Sequence, residues 1–472
     1  MTPRAEPASP IGDSYSPQLR TALVLTGTGT AGAYHAGVLR ALHEAGVKID
    51  IVAGHGMGAV AALFAAVDGA ARLWDEKGFW RSPAVRRLYP WRPALRVAAL
   101  ALLASVAIVC VPIAAVAAGL VVFPVDFVLK MIGLGGAGGL VSAYVRFAES
   151  AFAPAALPTW LPRLVLLVLG GAAAVTIAGS WKRDGRRRGG AWPWLALRPP
   201  LSADAVVDHC WRVMWDLVRG ATALREPPAR ELAHRYTELL SENFGQPGFR
   251  ELLLGVHDVD AHRDLVFALV AERRRKDLVR RPSSAAADRR RAEVFDLSGV
   301  AREHLADAVA AALAVPLATD HWPVTFAADG YWRGETHRLA DRPGLLARLL
   351  DELADLGVEQ ILVVSAAPET PGPHALTAPR LDGRGRIGEA IQSAEAAVVH
   401  DALRAAAARV KRLFTVRPVH NPIGPFDFGG GYDDRSDRRQ PLVELMGRGY
   451  EDAYRQFIEP VVAASGERVG AI

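Results

Sequence analysis

Cysteine is nearly absent: Cys110 and Cys210 are the only two among 472 residues, and they lie far apart in the chain. That excludes a disulfide framework and any zinc site built on paired cysteines. Lysine is scarce too, so the formal net charge of +5 rests almost wholly on arginine. The stretch from Met1 to Leu19 lacks the apolar run of a secretory signal and reads as a mobile lead-in. No internal repeat is present. Charge is missing altogether from Val97 to Val125. With 51% hydrophobic and 22% charged residues the chain is not disordered, and its length accommodates two or three domains. A mean hydropathy of +0.14 is high for a soluble enzyme and directs attention to the membrane. A pI near 9.3 suits either nucleic acid or an anionic membrane surface. The apolar runs favour membrane lipids and argue against a nucleic-acid partner.

The uncharged stretch exceeds the roughly 20 residues that cross a hydrocarbon core, with Pro112 as a tolerated kink. A second apolar run, Leu164 to Trp181, is just long enough; Met131 to Val145 between them reads as interfacial or re-entrant. Arg81, Arg86, Arg87, Arg92 and Arg96 precede the first run, and Lys182, Arg183, Arg186, Arg187 and Arg188 follow the second. The connection carries only Lys130, Arg146 and Arg163. By the positive-inside rule both outer ends are cytoplasmic. Trp80, Trp91, Trp160 and Trp181 stand near the ends, where indoles favour the interface. A two-span transmembrane hairpin over residues 96–181 is therefore expected, in an integral protein of a bacterial inner membrane. Buried core helices are the alternative. The basic run from Arg273 to Arg291 reads as a solvated loop or as a contact for anionic head groups.

On either side of the hairpin the pattern is that of an α/β protein. Thr21 to Thr26 is a buried-strand pattern, followed by Gly27-Thr28-Gly29-Thr30-Ala31-Gly32 and a helical pattern from Ala33 to Glu44. Such a strand, glycine turn and helix offers backbone N–H groups to an anion. A second strand, Ile49 to Ala53, enters Gly54-His55-Gly56-Met57-Gly58 and a helix of small residues. The first turn alone also fits a dinucleotide site, although Asp50 lies at the start of the second strand rather than its end. The second has the spacing of a nucleophile elbow, where small residues relieve a sharp strand-to-helix bend.

Together these two turns resemble the patatin-like phospholipases. Leu23 to Leu39 is similar to that family's opening strand, oxyanion turn and first helix, and Ala53 to Ala62 to its serine elbow. Ala308 to Pro316 resembles the small-residue helix before the final motif, and Asp329-Gly330 takes the place of its Asp-Gly element. The resemblance covers Thr21 to Leu95 and Glu231 to Ala366. It implies a Ser–Asp dyad, with Asp329 activating a serine and Gly27, Thr28, Gly29 and Gly32 holding the oxyanion. No cofactor or metal is expected. The departures are as informative. Gly56 occupies the nucleophile position, Thr28 and Ala31 replace a usual glycine and arginine, and Tyr331 follows Asp329-Gly330. His55 is a neighbour of the elbow that either packs there or acts as a base or nucleophile. The cluster His257 to His262 reads as a polar hairpin turn rather than a metal site.

Farther on, Leu345 to Leu356 and Arg386 to Val410 are helical, Gln360 to Ser365 and Leu413 to Val416 are strands, and Val443 to Val462 is an amphipathic helix. His420 to Asp437, rich in Gly, Pro and Asp, reads as a cover for the sheet edge. The expected plan is a three-layer patatin-like fold with a mainly parallel central sheet. Residues 1–20 form a flexible lead, 21–95 and 190–366 the two halves of the patatin-like domain, 96–181 the membrane hairpin, and 367–472 a C-terminal cover. Three functions stay open: a membrane-anchored protein that binds acyl lipids or a protein partner without serine hydrolysis, a lipid acyl hydrolase with a non-standard nucleophile, and a nucleotide-binding membrane protein.

Overall fold

The computed structural model describes residues 15–133, 139–153, 199–220, 225–279, 293–299, 301–368 and 382–462, with scattered positions between 160 and 174. The chain divides into two units, one built from the residues up to Pro90 and from Leu201 onward, the other from Trp91 to Pro200.

The first unit opens with β1 (Thr21–Thr26), α1 (Ala31–Glu44), β2 (Ile51–Gly54), α2 (Met57–Ala66) and the short α3 (Ala71–Trp74). The second unit holds α4 (Pro93–Met131) and α5 (Gly139–Ala151). The chain then returns through α6 (Asp204–Val218), α7 (Ala229–Glu242), β3 (Glu251–Asp258), β4 (Arg263–Leu269), α8 (Glu272–Val279), β5 (Val294–Asp296) and α9 (Leu305–Ala312). After β6 (Trp322–Thr325) and β7 (Thr336–Ala340) come α10 (Leu345–Asp355), β8 (Gln360–Ser365), α11 (Gly383–Ala406) and β9 (Arg412–Val416). The strands β10 (Gly431–Asp433) and β11 (Arg438–Gln440) precede α12 (Leu442–Ala453), which continues as a π-helical segment to Val462.

The main sheet runs β5-β4-β3-β2-β1-β8-β9, with the β6–β7 hairpin joined to β3. Pairing is parallel from β3 across to β9 and antiparallel between β3 and β4. Side chains alternate between two cores. Leu23 and Leu25 of β1 join α1, α2 and α9 on one face, while Ala22 and Val24 meet Leu346, Leu349 and Leu353 of α10 on the other. Burial on both faces is the reason these strands are apolar without interruption. Leu25 stands opposite Gly54 in the β1–β2 register, so both glycine turns leave the sheet side by side. They do so at the carboxyl ends of central strands, where open α/β sheets place their sites.

In the second unit α4 runs unbroken for 39 residues. Its segment Ile113–Met131 has a mean hydropathy of 2.0, and 17% of it is buried, so length and composition suffice to cross a membrane. Among the described residues it is the one such helix, where two were expected. The second apolar run is described only in part, as a helix from Pro162 to Gly171 that is too short to span. Trp181 and the basic cluster Lys182 to Arg188 lie outside the described residues. Tyr144 of α5 donates from its hydroxyl to the Ala115 carbonyl at 2.8 Å, and its ring meets Phe123 edge-on at 5.7 Å. Within α4, Asp126 is paired with Lys130 one turn later at 2.5 Å, which offsets the cost of an acid in an apolar helix.

The first unit closes across the insertion. The Ser202 N–H donates to the Pro90 carbonyl at 3.1 Å and the Leu201 N–H to that of Ala318 at 2.9 Å. Trp80 is also part of this unit, 4% exposed in the core, and is not an interfacial indole; Trp91 and Trp160 are exposed.

Candidate active site

The second glycine turn keeps the backbone of a nucleophile elbow. Gly56 sits between β2 and α2 at φ 58° and ψ −136°, a region that side chains enter only under strain. The flanking residues must be small because the turn crosses β1 closely: a Cβ on Gly58 would stand 1.9 Å from the Leu25 carbonyl oxygen.

The volume that a side chain at position 56 would use is already filled. An added Cβ would lie 2.6 Å from the Gly27 carbonyl oxygen and 2.7 Å from Oδ2 of Asp341. Three N–H groups of the two turns are engaged as well. Met57 donates to the Gly27 carbonyl at 2.8 Å, and Thr30 donates to the Pro425 carbonyl at 2.9 Å. Both the backbone N–H and the hydroxyl of Thr28 bond Glu395 of α11, the hydroxyl at 2.5 Å. Thr30 Oγ1 donates to the Gly424 carbonyl at 2.9 Å. Beside this plug Phe426 and Phe428 pack on Tyr89, with ring centroids 5.5 and 5.9 Å apart. Gly29, at φ +58°, makes the approach possible, since a Cβ there would meet the Pro425 oxygen at 1.9 Å. Gly29→Ala should therefore expel the segment around Pro425 and cost about 2 kcal/mol, one lost hydrogen bond plus left-handed strain. Limited proteolysis should then cut between residues 420 and 437 at a protease dose that leaves the wild type intact.

The buried polar groups form a single chain. His55 bonds Thr26 Oγ1 through Nε2 at 2.6 Å and Asp341 Oδ1 through Nδ1 at 2.9 Å. Thr28 Oγ1 lies 3.5 Å from Asp341 Oδ2 and next to Glu395. Burial, reinforced by the nearby Asp341 charge, pushes the Glu395 carboxyl up to about 7, against the opposing bonds from Thr28. A protonated Glu395 satisfies the whole row: it donates to Thr28, Thr28 to Asp341, His55 Nδ1–H to Asp341, and Thr26 to His55 Nε2. Behind it His35 bonds the Thr26 carbonyl at 3.1 Å and is held near 4 by burial, hence neutral.

The model of the patatin-like phospholipase family matches residues 23–341, more than half of the chain. The chain belongs to the patatin-like phospholipase family. No curated protein sequence matches it. Among solved structures it is similar to the crystal structure of VipD from Legionella pneumophila at 13% identity, covering 95% of this chain and 67% of that one with a TM-score of 0.30.

Within the patatin-like unit the carboxylate at the elbow is that of Asp341, where the family match ends, and not of Asp329. Asp329 and Gly330 lie on the connection between β6 and β7, with Asp329 exposed. A literal Asp-Gly pair drew attention to 329. The usable signal was an acid at the end of the strand Thr336–Ala340, masked because Arg342 follows it. Glu395 and Pro425 had no local signal at all. Gly32 touches neither plug: its open face is covered by Trp80, 2.3 Å from where a Cβ would stand. The polar cluster is a hairpin turn, as its alternation implies, with His257 on Asp264 at 2.7 Å and His337 on Asp258 at 2.5 Å. Among the described residues no group of His, Cys, Asp and Glu could hold a metal ion. The segment His420–Asp437 covers the glycine turn rather than only a sheet edge.

Proposed function

We propose that this patatin-like protein is anchored in a membrane and works by binding, with acyl lipids as its ligand class, rather than by serine hydrolysis. The observation that carries the reading is position 56, which has no side chain and no room for one beside Gly27 and Asp341. The engaged donors of Met57, Thr28 and Thr30 point the same way, and they leave the nucleotide reading with few free N–H groups. His55, the available substitute nucleophile, is buried with both ring nitrogens bonded. The test is direct. The wild-type protein should show no labelling by fluorophosphonate probes and no turnover of short-chain esters. Robust esterase activity abolished by a serine-directed probe would overturn the reading.

Anchoring is supported by Ile113–Met131, whose mean hydropathy of 2.0 fits a span and whose two charges, Asp126 and Lys130, pair with each other. Because Ser202 bonds Pro90, the chain must come back to the side it left. If Ile113–Met131 crosses, a second crossing has to lie between residues 132 and 200. The arginines before α4 support a patatin-like unit at the cytoplasmic face. The full-length protein should stay with membranes through a high-salt wash, since apolar transfer is insensitive to screening, and deletion of residues 96–181 should release it. Reporters at residue 188 and the C-terminus should both face the cytoplasm. Release of the intact chain by salt, or a C-terminus on the far side, would remove anchoring from the proposal.

A further inference from the structure

The segment leading from α3 towards Pro90, together with α6 and the start of α12, borders an open cavity of about 1160 Å³ within the first unit. Four arginines line it, Arg81, Arg86, Arg87 and Arg212, against a single acid, Asp208. All four are exposed, and none of their side chains has an ion-pair or hydrogen-bond partner among the described residues. Elsewhere in the unit several half-buried arginines are matched: Arg250 with Asp68, Arg275 with Asp296, Arg338 with Asp260, Arg348 with Glu293. An excess of three positive charges around one concavity repels itself, and an anion relieves the repulsion.

The wall also carries His209, 5% exposed. Its Nε2 donates to the Phe79 carbonyl at 3.2 Å, which leaves Nδ1 as a buried acceptor with no partner among the described residues, suited to a hydroxyl donor such as that of a glycerol headgroup and not to a phosphate oxygen. Apolar surface completes the lining, from Trp80 and Val85 on one side and Leu442 and Val443 on the other. Guanidinium groups pair with phosphate oxygens through two parallel bonds, and a neighbouring apolar wall suits the glycerol root of a lipid.

We propose that this cavity binds the phosphate of an anionic phospholipid headgroup, a site separate from the filled patatin elbow. The lipid source rests on the anchoring reading, while phosphate chemistry alone would be shared by a free phosphate. The full-length protein in a non-ionic detergent would be titrated with dihexanoyl phosphatidylglycerol, dihexanoyl phosphatidylcholine and inorganic phosphate, following tryptophan fluorescence and calorimetric heat. Saturable binding of the phosphatidylglycerol is expected, at least tenfold tighter than either of the others. Arg86→Gln combined with Arg212→Gln should weaken it at least tenfold without lowering Tm. Both changes keep a long polar side chain, and Arg212 lies outside the basic flank that orients α4. Equal affinity for the two lipids, or an unchanged affinity in the double variant, would overturn the site. Inorganic phosphate binding as tightly as the lipid would overturn the headgroup assignment. Salt extraction of a chain that still discriminates the two lipids would sink anchoring alone, and retention without discrimination would sink the cavity alone.

Discussion

Gly56→Ser should remain inert to fluorophosphonates and should be less stable than the wild type by about 3 kcal/mol. Three costs add. The backbone at φ 58° and ψ −136° is one that a residue with a Cβ occupies at roughly 1–3 kcal/mol. The new Cβ meets the Gly27 carbonyl at 2.6 Å, a backbone atom that moves only if the turn moves. That shift would loosen the bond from the Met57 N–H, worth about 1 kcal/mol. For a unit of this size the Tm should fall by roughly 4 °C. Gly56→Ala should show a similar loss, because the Cβ and not the hydroxyl is responsible. Asp341→Ala in the serine background frees the second contact but leaves the buried His55 Nδ1–H without its acceptor, so the Tm should not recover, again without labelling. A Gly56→Ser protein that labels strongly at an unchanged Tm would mean that the elbow is open.

Replacing Glu395 by Gln should change the pH dependence of stability. The folded carboxyl is pushed up to about 7 by burial, well above its ordinary value. Between the ordinary value and 7 the folded chain binds a proton that the unfolded chain has lost. Stability therefore falls as pH rises through this window and is flat above it. The full excursion corresponds to about 3 kcal/mol. A glutamine has no proton to lose, and its carbonyl can still accept from Thr28. Glu395→Gln and wild type should thus unfold at similar temperatures near pH 4.5, and the variant should be more stable near pH 8 by up to about 3 kcal/mol. A difference between the two that is the same at both pH values would show that Glu395 is charged in the folded protein, and the proton arrangement from Glu395 through Thr28 to Asp341 would be wrong.

Much of this architecture was readable residue by residue. The runs Thr21–Thr26 and Gln360–Ser365 are strands because only a doubly covered strand can bury every side chain, and both are buried throughout. Small residues at 54, 56 and 58 announced a sharp bend, since a Cβ at any of them would meet a backbone carbonyl, that of Gly58, Gly27 or Leu25. The absence of a hydroxyl at Gly56 was equally plain. Boundaries moved by a few residues, as where the helix expected from Arg386 begins at Gly383. The span count was read less well, because hydropathy locates apolar runs without stating how many are continuous helix; Ile113–Met131 qualifies and Pro162–Gly171 does not.

By itself, then, the sequence determined the α/β class, the two glycine turns, the inserted apolar segment and the loss of the serine, since each is a property of neighbouring residues: period, turn size or the lack of an atom. Only the tertiary structure decided what stands at the elbow. Asp341, Glu395 and Pro425 reach it from positions roughly 290 to 370 residues beyond Gly56, through a sheet whose order sets β8 beside β1. Such contacts carry no local period or motif. Their identity depends on which loops the strand order brings over the carboxyl ends of β1 and β2, and on whether the space there is open or, as in this protein, already occupied by its own carboxylates and carbonyls.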